Sequence, residues 1–250
     1  MSNPYESQEL LAQYLLFHYG NAREILPWPM GPSDALDYAV RAVSEPLADY
    51  AVPENARALD IGCAVGRSSF ELSKSCSEVV GIDFAQSFID AAERVRTTGE
   101  HPYAYTVEGK ITADAVATTP ASSHPERITF QQGDAMDLVE DLGTFDIVLA
   151  ANLICRLPDP MKFLNRLPNL IKPGGLLILN TPLTWLEEFT PEINWIGGTP
   201  TGGETLPGLK KILEPDFVFK KSVNMPFFIR EHARKYQWSV AQSSRWVRKS

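Results

Sequence analysis

Several features that would assign this chain to a special class of protein are scarce or missing in its 250 residues. Only three cysteines occur, without CxxC spacing, so the sequence predicts neither a disulfide framework nor a metal site. No run of 18 apolar residues exists, which argues against a membrane-spanning helix. The N-terminus is acidic ahead of its first apolar stretch and lacks a small-residue cleavage site, unlike a secretory signal. These absences together predict a cytoplasmic protein.

An excess of positive charge is also missing. Lysine and arginine number 23 against 31 acidic residues, so the net charge is −8 and the pI is about 5.1. A nucleic-acid-binding protein more often has a basic face, and we therefore expect no nucleic-acid partner. Hydrophobic residues make up 44% and charged residues 22%, as in globular proteins.

The chain length suits a single domain, and we expect residues 1–250 to form one. Short apolar runs alternate with helical periodicity through its middle, which predicts βαβ units and a parallel sheet. Strands are predicted at 57–61, 78–82, 127–131, 145–150 and 176–180. Helices are predicted at 68–75, 87–96 and 161–171.

The N-terminal part, residues 1–50, is predicted to contain two helices. Residues 7–19 have helical spacing of apolar residues, with Ser7 as a cap, and residues 20–33 are rich in glycine and proline and indicate a loop. A second helix is expected from residue 33 to about residue 50. The first helix either packs on the sheet or covers the binding pocket as a lid, and the two interpretations are compatible.

Three other segments interrupt the alternation. Residues 97–126 are too long for a structureless loop, so we expect an inserted hairpin or a mobile flap there. Residues 184–208 are loop-like. Two final strands are expected at 216–223 and 238–247, with residues 224–237 as their connection on the active-site side.

The most informative segment joins the first strand to the next helix and reads ALDIGCAVGRS. Gly62 and Gly66 lack a Cβ, so the backbone can approach a ligand there. The following helix N-terminus presents free N–H groups that favour a carboxylate. With Asp60 two residues before Gly62, the pattern resembles the first motif of class I methyltransferases rather than the GxGxxG dinucleotide turn.

Three further features stand in the same order as in that class. Asp83 ends the second strand, 21 residues after Gly62, where an acid accepts the ribose hydroxyls. Asp134 follows the third strand, where the resemblance implies contact with the adenine amino group. The run LIKPGGLLIL is similar to the turn and fifth strand of the class. The expected cofactor residues are Asp60, Gly62, Cys63, Ala64, Gly66, Ser68, Asp83, Phe84, Asp134, Ala135 and Met136.

Simpler interpretations exist for single residues. Asp60 can cap a turn, Asp83 can be a surface acid, and Cys63 can be a small packing residue rather than a nucleophile. Taken together, the features favour an α/β, Rossmann-like class I methyltransferase with a seven-stranded, mostly parallel sheet, helices on both faces and an N-terminal helical lid. The resemblance implies S-adenosylmethionine as cofactor, held by residues 51–182, with 183–250 as a substrate-side loop and C-terminal strands.

Ligands of open α/β sheets lie at the carboxyl ends of the strands. Three segments are expected to reach that edge: the turn from Asn152 to Arg156, the region up to Trp185, and the connection that contains Arg230 and His232. The last segment mixes aromatic residues with arginine, glutamate and histidine, an unusual composition for a plain turn.

A narrower resemblance covers nearly the whole chain. The segments NPYES, LLFHYG, LAANLICRLPDP, TWLEEFTP, NWIGG and MPFFIREHARKYQWSVAQSS are similar to the methyltransferases of ovothiol biosynthesis, which often occur fused behind a sulfoxide synthase. The resemblance implies methylation of the π nitrogen of 5-thiohistidine, an amino-acid substrate, and a functional link to such a synthase.

Under this interpretation an imidazole nitrogen displaces the sulfonium methyl group in line, and placement matters more than a strong base. Arg156 and Arg230 are candidates to grip the substrate carboxylate through paired hydrogen bonds. The expected catalytic residues are Asn152, His232 and Tyr14. The expected substrate-binding residues are Tyr19, Arg156, Trp185 and Arg230.

Three alternatives remain at this stage. The acceptor is another small molecule, such as a different amino acid or a quinone. The enzyme acts on nucleic acid or protein, although the Asn/Asp-Pro-Pro-aromatic turn of base-methylating enzymes is absent after strand four, and Asn3-Pro4-Tyr5 is expected to lie far from the sheet. The chain is a non-catalytic, cofactor-binding module of a partner enzyme.

Overall fold

Nine strands are found in the computed structural model, which describes residues 4–250. Their bounds are β1 Arg57–Ile61, β2 Glu78–Asp83, β3 Glu100–Glu108, β4 Ile111–Thr118, β5 Ile128–Gln132, β6 Phe145–Ala151, β7 Ile171–Thr181, β8 Phe217–His232 and β9 Lys235–Arg248. Seven of them form the central sheet in the order β5-β2-β1-β6-β7-β9-β8, and β3 pairs with β4 separately. Five sheet strands are parallel and β9 runs antiparallel to both neighbours, which confirms the mostly parallel sheet.

The helices cover both faces of this sheet. Their bounds are α1 Gln8–Tyr19, α2 Ala22–Ile25, α3 Tyr38–Leu47, α4 Arg67–Leu72, α5 Gln86–Thr98, α6 Pro160–Leu164, α7 Leu167–Leu170 and α8 Thr205–Leu213. Apolar residues of α3, α4 and α5 pack on one face, and those of α6, α7 and α8 pack on the other. None of the helices within residues 4–250 has the length and apolar character needed to cross a membrane.

The core strands are buried because helices cover both of their surfaces. β6 and β7 carry continuous apolar runs, and all four residues from Ile147 to Ala150 are fully buried. Neighbouring side chains along a strand point to opposite faces, so Ile147 and Leu149 pack in one cluster and Val148 and Ala150 in the other. This pattern follows directly from the near-continuous hydrophobicity of the sequence.

The inserted segment 97–126 forms an antiparallel hairpin, which confirms the first of the two interpretations of this segment. β3 and β4 pair from Glu100 with Thr118 to Glu108 with Ile111, and Gly109 occupies the turn with φ of 57°. Tyr105 and Ala115 pack with Leu16 of α1 in a small cluster beside the main core. The insertion therefore supports the outer side of the N-terminal helix.

The first helix begins where the sequence predicts. The Ser7 side chain accepts a hydrogen bond from the N–H of Leu10, which is the usual N-cap interaction. Leu11 and Leu15 are buried against the main core, while Leu16 faces the hairpin cluster. The helix α1 is therefore enclosed on two sides, by the main core and by the hairpin.

Three sequence expectations need correction. The predicted loop 20–33 contains α2, whose Asn21 and Glu24 form a reciprocal capping box. The predicted helix 161–171 is two short helices, because Pro168 has no N–H to continue α6. The last residues of the predicted loop 184–208 belong to α8, which begins at Thr205. Pro207 and Gly208 are typical of loops, so the sequence did not indicate a helix there.

The expected connection 224–237 is also mostly strand. β8 and β9 stay paired from Met225 with Ala241 to His232 with Lys235, eight residues beyond the level at which β7 ends. Aromatic and β-branched residues favour extended structure, and the segment is rich in them. The two strands therefore project past the sheet edge as a long hairpin and carry their side chains away from that edge.

Candidate active site

The turn after β1 has a backbone that few side chains tolerate. Gly62 and Gly66 have φ of 73° and 85°, and Ala64 between them has φ of 48°. A Cβ on Gly66 would lie 2.6 Å from Cζ of Phe130, so this position also requires glycine for packing. Gly66 caps α4, whose first-turn N–H groups have no partner within the helix. The turn thus exposes backbone donors at a positive helix end.

Asp83 secures this turn from the neighbouring strand. One carboxylate oxygen accepts the N–H of Ala64 at 2.8 Å, and the other accepts the N–H of Ala85 at 2.9 Å. Burial raises the pKa of Asp83, and these backbone donors oppose the increase. Each carboxylate oxygen has a second lone pair, so Asp83 retains capacity for two ribose hydroxyls.

Asp60 and two serines form hydrogen bonds within the protein that support the turn. Asp60 is 1% exposed and accepts a hydrogen bond from the Ser69 hydroxyl at 2.7 Å. Burial raises its pKa to about 7. The buried Ser68 hydroxyl donates to the carbonyl of Ala39, which joins α4 to α3. Asp60 and Ser68, both expected to bind the cofactor, are placed here as supports of the turn.

The segment after β5 lies beside Asp83. The N–H of Gly133 donates to the Asp83 carbonyl at 2.9 Å, and the Asp134 carboxylate accepts the N–H of Met136 at 2.8 Å. Ala135 is buried, whereas the Phe84 ring is 59% exposed at the same edge. The structure therefore brings the expected adenine and ribose residues together.

The N-terminal helix contacts the cofactor turn directly. The Tyr19 hydroxyl donates to the Val65 carbonyl at 2.8 Å, and the Tyr14 ring lies 4.8 Å from the Phe88 ring, centroid to centroid. Burial raises the pKa of both tyrosines, so their phenols remain protonated near neutral pH. They can donate hydrogen bonds, but they cannot act as bases there.

The segment before α1 crosses the same cleft. The Glu6 carboxylate accepts the N–H groups of Gln86 at 2.8 Å and Ser87 at 3.2 Å, and so caps α5, whose own N-cap residue Ala85 has no side-chain acceptor. The Ser87 hydroxyl donates to the Tyr5 carbonyl. Tyr5 therefore lies against α5 and the main core, so the expectation that it lies far from the sheet was wrong. Asn3 lies outside the described residues.

Tyr5 also links the two sides of the cleft. Burial raises the pKa of Tyr5. The charge of Arg156 and a hydrogen bond with it lower this pKa, and the charge of Asp83 raises it. The same two charges act on Tyr14. Tyr5, Tyr14, Asp83 and Arg156 therefore surround a common space at the carboxyl ends of β2 and β6.

A second polar group lies at the ends of β6 and β7. Asn152 has φ of 57° and donates its backbone N–H to the Asn180 carbonyl at 2.8 Å, while its side chain accepts the Tyr38 hydroxyl at 3.0 Å. Leu153 touches the position that a Cβ on Gly62 would occupy, so this group adjoins the cofactor turn. Asn152 is thus placed where a methyl acceptor would meet the donor.

Several buried polar atoms in this group have no hydrogen-bond partner. The Asn180 carboxamide is fully buried beside the Tyr38 phenol, and neither its nitrogen nor its oxygen forms a well-aligned hydrogen bond. The Ser243 hydroxyl, on β9 directly opposite Asn180 of β7, is unpaired as well. Buried polar atoms are nearly always paired in proteins, so these side chains have capacity to bind a polar group or an ordered water.

Sequence reasoning missed these residues. Tyr38, Asn180 and Ser243 were not among the expected site residues, although a signal existed for Asn180. Asn180 ends the apolar run LLILN, and a polar residue at the carboxyl end of a buried parallel strand lies on the ligand-binding edge. Tyr38 and Ser243 give no such signal, because only the folded chain places them beside Asn180.

The remaining expected substrate residues separate into two groups. Arg156 lies at the cleft, where its guanidinium is 4.5 Å from the centre of the Phe189 ring and donates to the carbonyl of Thr184. Trp185 is 7% exposed, donates to the Thr205 hydroxyl and packs in the core on the far face. The structure does not bring Trp185, Arg230 or His232 to the polar group.

Arg230 and His232 are carried away by the long hairpin. Arg230 lies six residues beyond Asn224, which is roughly 20 Å along the strand at about 3.3 Å per residue. His232 is near the hairpin tip, and its ring nitrogen accepts the Arg234 N–H at 3.3 Å. Their expected roles at the reacting atoms therefore stay predictions without support from this geometry.

Comparison with known proteins agrees with this site. Residues 59–179 match the family described as methyltransferase domain. That range begins in β1 and ends in β7, so it contains the cofactor turn, Asp83 and Asp134. Fold, turn and family match agree on a methyltransferase domain over residues 59–179, a class of domain whose methyl donor is S-adenosylmethionine.

Proteins similar to this chain include two curated proteins and one solved structure. The ubiquinone biosynthesis O-methyltransferase of Coxiella burnetii is 30% identical over 123 residues, 49% of this chain and 42% of that protein. The demethylmenaquinone methyltransferase of Lactococcus lactis is 26% identical over 186 residues, 72% of this chain and 55% of that protein. The chain spans about half the length of the curated relatives it matches.

Among solved structures, magnesium protoporphyrin IX methyltransferase from Synechocystis with bound cofactor aligns with a TM-score of 0.54. The alignment covers 99% of this chain and 100% of that one at 16% identity. At this identity the likeness establishes the fold alone.

Proposed function

We propose that this protein transfers a methyl group from S-adenosylmethionine to a small polar acceptor held by Tyr38, Asn152 and Asn180. We further propose that the acceptor is 5-thiohistidine, methylated on the π nitrogen of its imidazole ring. The observation that carries the proposal is the fully buried, unpaired Asn180 carboxamide next to Asn152 and the donor turn. The whole-chain resemblance to ovothiol methyltransferases supports the identity of the acceptor.

Bound S-adenosylmethionine supplies a methyl group on a positively charged sulfur atom. The chain's own residues position the donor and the acceptor. Asp83 and Asp134 hold the nucleoside, and the Gly62–Gly66 turn holds the carboxylate end of the donor beside the N-terminus of α4. Asn152 would then lie beside the bound donor, because its neighbour Leu153 packs against Gly62.

The chemistry of the polar group suits an imidazole ring better than a purely apolar ring. An imidazole has one N–H donor and one nitrogen acceptor, and a carboxamide has one acceptor and two donor hydrogens. The Asn180 side-chain oxygen can therefore accept the ring N–H and become paired itself, while the lone pair of the other ring nitrogen stays free to attack the methyl group. Leaving the carboxamide unpaired would cost about 1–3 kcal/mol, which is the basis for strong discrimination against acceptors that lack these groups.

Selectivity between sulfur and nitrogen is the main task of the site. The thiolate of the substrate is the softer nucleophile, so the ring must be oriented with one nitrogen on the donor axis. Asn152 and Asn180 fix the ring, and the protonated Tyr14 phenol is a donor for the sulfur. Orientation of this kind accounts for up to about 7–11 kcal/mol of an activation barrier.

Arg156 is the candidate for the amino-acid carboxylate. Its support is its hydrogen bond with Tyr5, on which the charge of Asp83 also acts. A guanidinium binds a carboxylate through two parallel hydrogen bonds, which would set the direction of the histidine backbone. The acceptor is then held at both ends while the donor approaches from the β1 side.

A quinone-type acceptor is the second candidate, because the names of two relatives refer to quinone biosynthesis. The buried unpaired atoms at Asn180 and Ser243 favour a more polar acceptor. The resemblance to chains fused behind a sulfoxide synthase further suggests that such an enzyme supplies the thiolated histidine.

The test is methyl transfer from radiolabelled S-adenosylmethionine to three acceptors: 5-thiohistidine, histidine and a short-chain demethylated quinone. We expect label in 5-thiohistidine, with mass spectrometry of the product locating it on the ring nitrogen. The matched variant is Asn180→Leu, which removes the carboxamide but keeps its branched shape and number of heavy atoms. Transfer to the quinone alone, by protein that binds S-adenosylhomocysteine, would reject the thiohistidine assignment and keep the methyltransferase one.

A further inference from the structure

A second cavity lies outside the donor cleft. It has a volume of about 380 Å³ and is bounded by α1, by β3 of the inserted hairpin and by β8 of the projecting hairpin. The polar residues that line it include Gln8, Glu9, Gln13, Thr106, Arg230 and Glu231. Small-molecule sites commonly have volumes of about 300–1,000 Å³, so its size fits a compact ligand.

Arg230 is the unusual residue of this cavity. It is 5% exposed, its guanidinium lies 5.0 Å from the centre of the Tyr105 ring, and it donates one hydrogen bond to the Glu24 carbonyl. Its Nε is buried without a partner. No carboxylate within residues 4–250 forms a salt bridge with it, and the adjacent Glu231 pairs with Lys235 at 2.6 Å. A buried cation without a counter-ion is costly, which points to a missing anion.

This cavity and the donor cleft lie on opposite sides of α1. Gln8, Ala12 and Leu16 recur every four residues and form the stripe that faces the cavity. Tyr14, which faces Phe88 and the cleft, lies about half a helical turn around from that stripe. A helix with its side chains is about 10–12 Å thick, so a ligand beside Arg230 is too far from the donor to be the methyl acceptor.

The opposite charge is also available at the cavity. Glu9 lies in the first turn of α1 and lines the space together with Gln8 and Gln13. The N–H groups of that first turn add a positive helix end close to Arg230. A ligand with a carboxylate at Arg230 and an ammonium at Glu9 would match both groups.

We infer that this cavity is a second small-molecule site, which binds an α-amino acid through its carboxylate and ammonium groups. The Nη2 of Arg230, the terminal nitrogen not bonded to the Glu24 carbonyl, binds the carboxylate through its N–H groups, and Glu9 binds the ammonium. The site is separate from methyl transfer and independent of the acceptor proposed above. Because α1 also carries Tyr14 and Tyr19, a ligand here would stabilise the helix that covers the donor cleft.

Equilibrium dialysis with radiolabelled glycine and acetate tests the site, in the presence of saturating S-adenosylhomocysteine. We expect saturable binding of glycine at millimolar concentration and about tenfold weaker binding in Arg230→Gln, since a charge-assisted pair of hydrogen bonds is lost. Ala12→Met, which fills the cavity and keeps Arg230, should abolish binding. Glu9→Gln should weaken binding of glycine but not of acetate.

The control is Asn180→Leu in the acceptor pocket, which should bind glycine as the wild type does. Circular dichroism and S-adenosylhomocysteine affinity establish that each variant is folded. Absence of saturable glycine binding in the wild type overturns the inference. So does wild-type affinity in both Arg230→Gln and Ala12→Met, or loss of binding in Asn180→Leu, which would assign the glycine to the acceptor pocket. None of these results depends on the methyl-transfer assay.

Discussion

The donor half of the cleft and the proposed acceptor half differ in the hydrogen bonding of their buried polar groups. On the donor side, Asp60, Asp83 and Asp134 each accept hydrogen bonds from the protein itself. On the acceptor side, Asn180 and Ser243 are buried with unpaired side-chain atoms. The donor half is complete before any ligand arrives, whereas the acceptor half requires a ligand to be complete.

This contrast explains what each half recognises. A prearranged cradle loses little ordering entropy on binding and suits a cofactor that is always the same. Unpaired carboxamide and hydroxyl groups stabilise only a ligand with matching donors and acceptors, so they give specificity for the acceptor. Four changes test the contrast, beginning with the largest expected effect.

The pH dependence of stability tests the donor half. Burial raises the pKa of Asp60 from 3.8 to about 7. The unfolded chain therefore releases this proton near pH 4, while the folded chain keeps it until about pH 7, so folding becomes less favourable as pH rises between those values. The loss is about 4 kcal/mol from this group in the cofactor-free protein. Urea unfolding at several pH values measures it.

Asp60→Asn should remove most of that decline, because the amide oxygen still accepts the Ser69 hydroxyl but has no proton to release. The matched control is Asp114→Asn, an exposed acid on β4, which should leave the slope unchanged. Identical slopes in wild type and Asp60→Asn would show that Asp60 is ionised in the folded protein.

Removal of Asp83 should affect cofactor binding most strongly. Asp83→Ala loses the acceptor for the Ala64 and Ala85 N–H groups as well as the expected ribose contacts. We expect about 100-fold weaker binding of S-adenosylmethionine, measured by calorimetry, which corresponds to about 3 kcal/mol. Asp90→Ala on α5 is the control. Unchanged affinity in Asp83→Ala would mean that the nucleoside lies elsewhere.

Asn180→Leu should separate function from stability in the acceptor half. Replacing an unpaired buried carboxamide by an apolar side chain of similar size should raise the free energy of unfolding by about 1 kcal/mol. The KM for the acceptor should rise at least about tenfold while cofactor affinity stays constant. Thr181→Val, the paired neighbour, should instead destabilise, because the Leu183 N–H loses its acceptor. Destabilisation by Asn180→Leu would contradict the contrast.

The smallest effect is expected at the N-terminal segment that spans both halves. Glu6→Ala removes the cap of α5 supplied to Gln86 and Ser87, which costs about 1 kcal/mol. We expect dissociation of S-adenosylhomocysteine to become about fivefold faster in stopped-flow measurements, with Glu54→Ala as control. An unchanged rate would show that this segment does not retain the cofactor.

The two halves also differ in how well the sequence predicts them. The donor half follows from local signals: Gly62 and Gly66 adopt positive φ in the turn, and Asp83 ends a buried strand. The mostly parallel sheet and the Ser7 cap were predicted for the same reason, since spacing of apolar and capping residues encodes them. The inserted hairpin was one of two expectations for residues 97–126 and followed from the length of that segment.

The acceptor half depends on contacts between distant segments. Tyr38, Asn152 and Ser243 come from three separate parts of the chain, and no spacing rule connects them. Arg230 was expected at the edge because residues 224–237 were taken for a connection. Their pairing as strand moves Arg230 past the edge and into a different cavity.

A crystal structure of the complex with S-adenosylhomocysteine is the most direct test of the account. We predict that the ribose hydroxyls lie within hydrogen-bonding distance of Asp83, and that the sulfur atom faces Asn152 and the Asn180 carboxamide. A nucleoside bound away from Asp83, or a sulfur atom directed at the cavity beside Arg230, would contradict it.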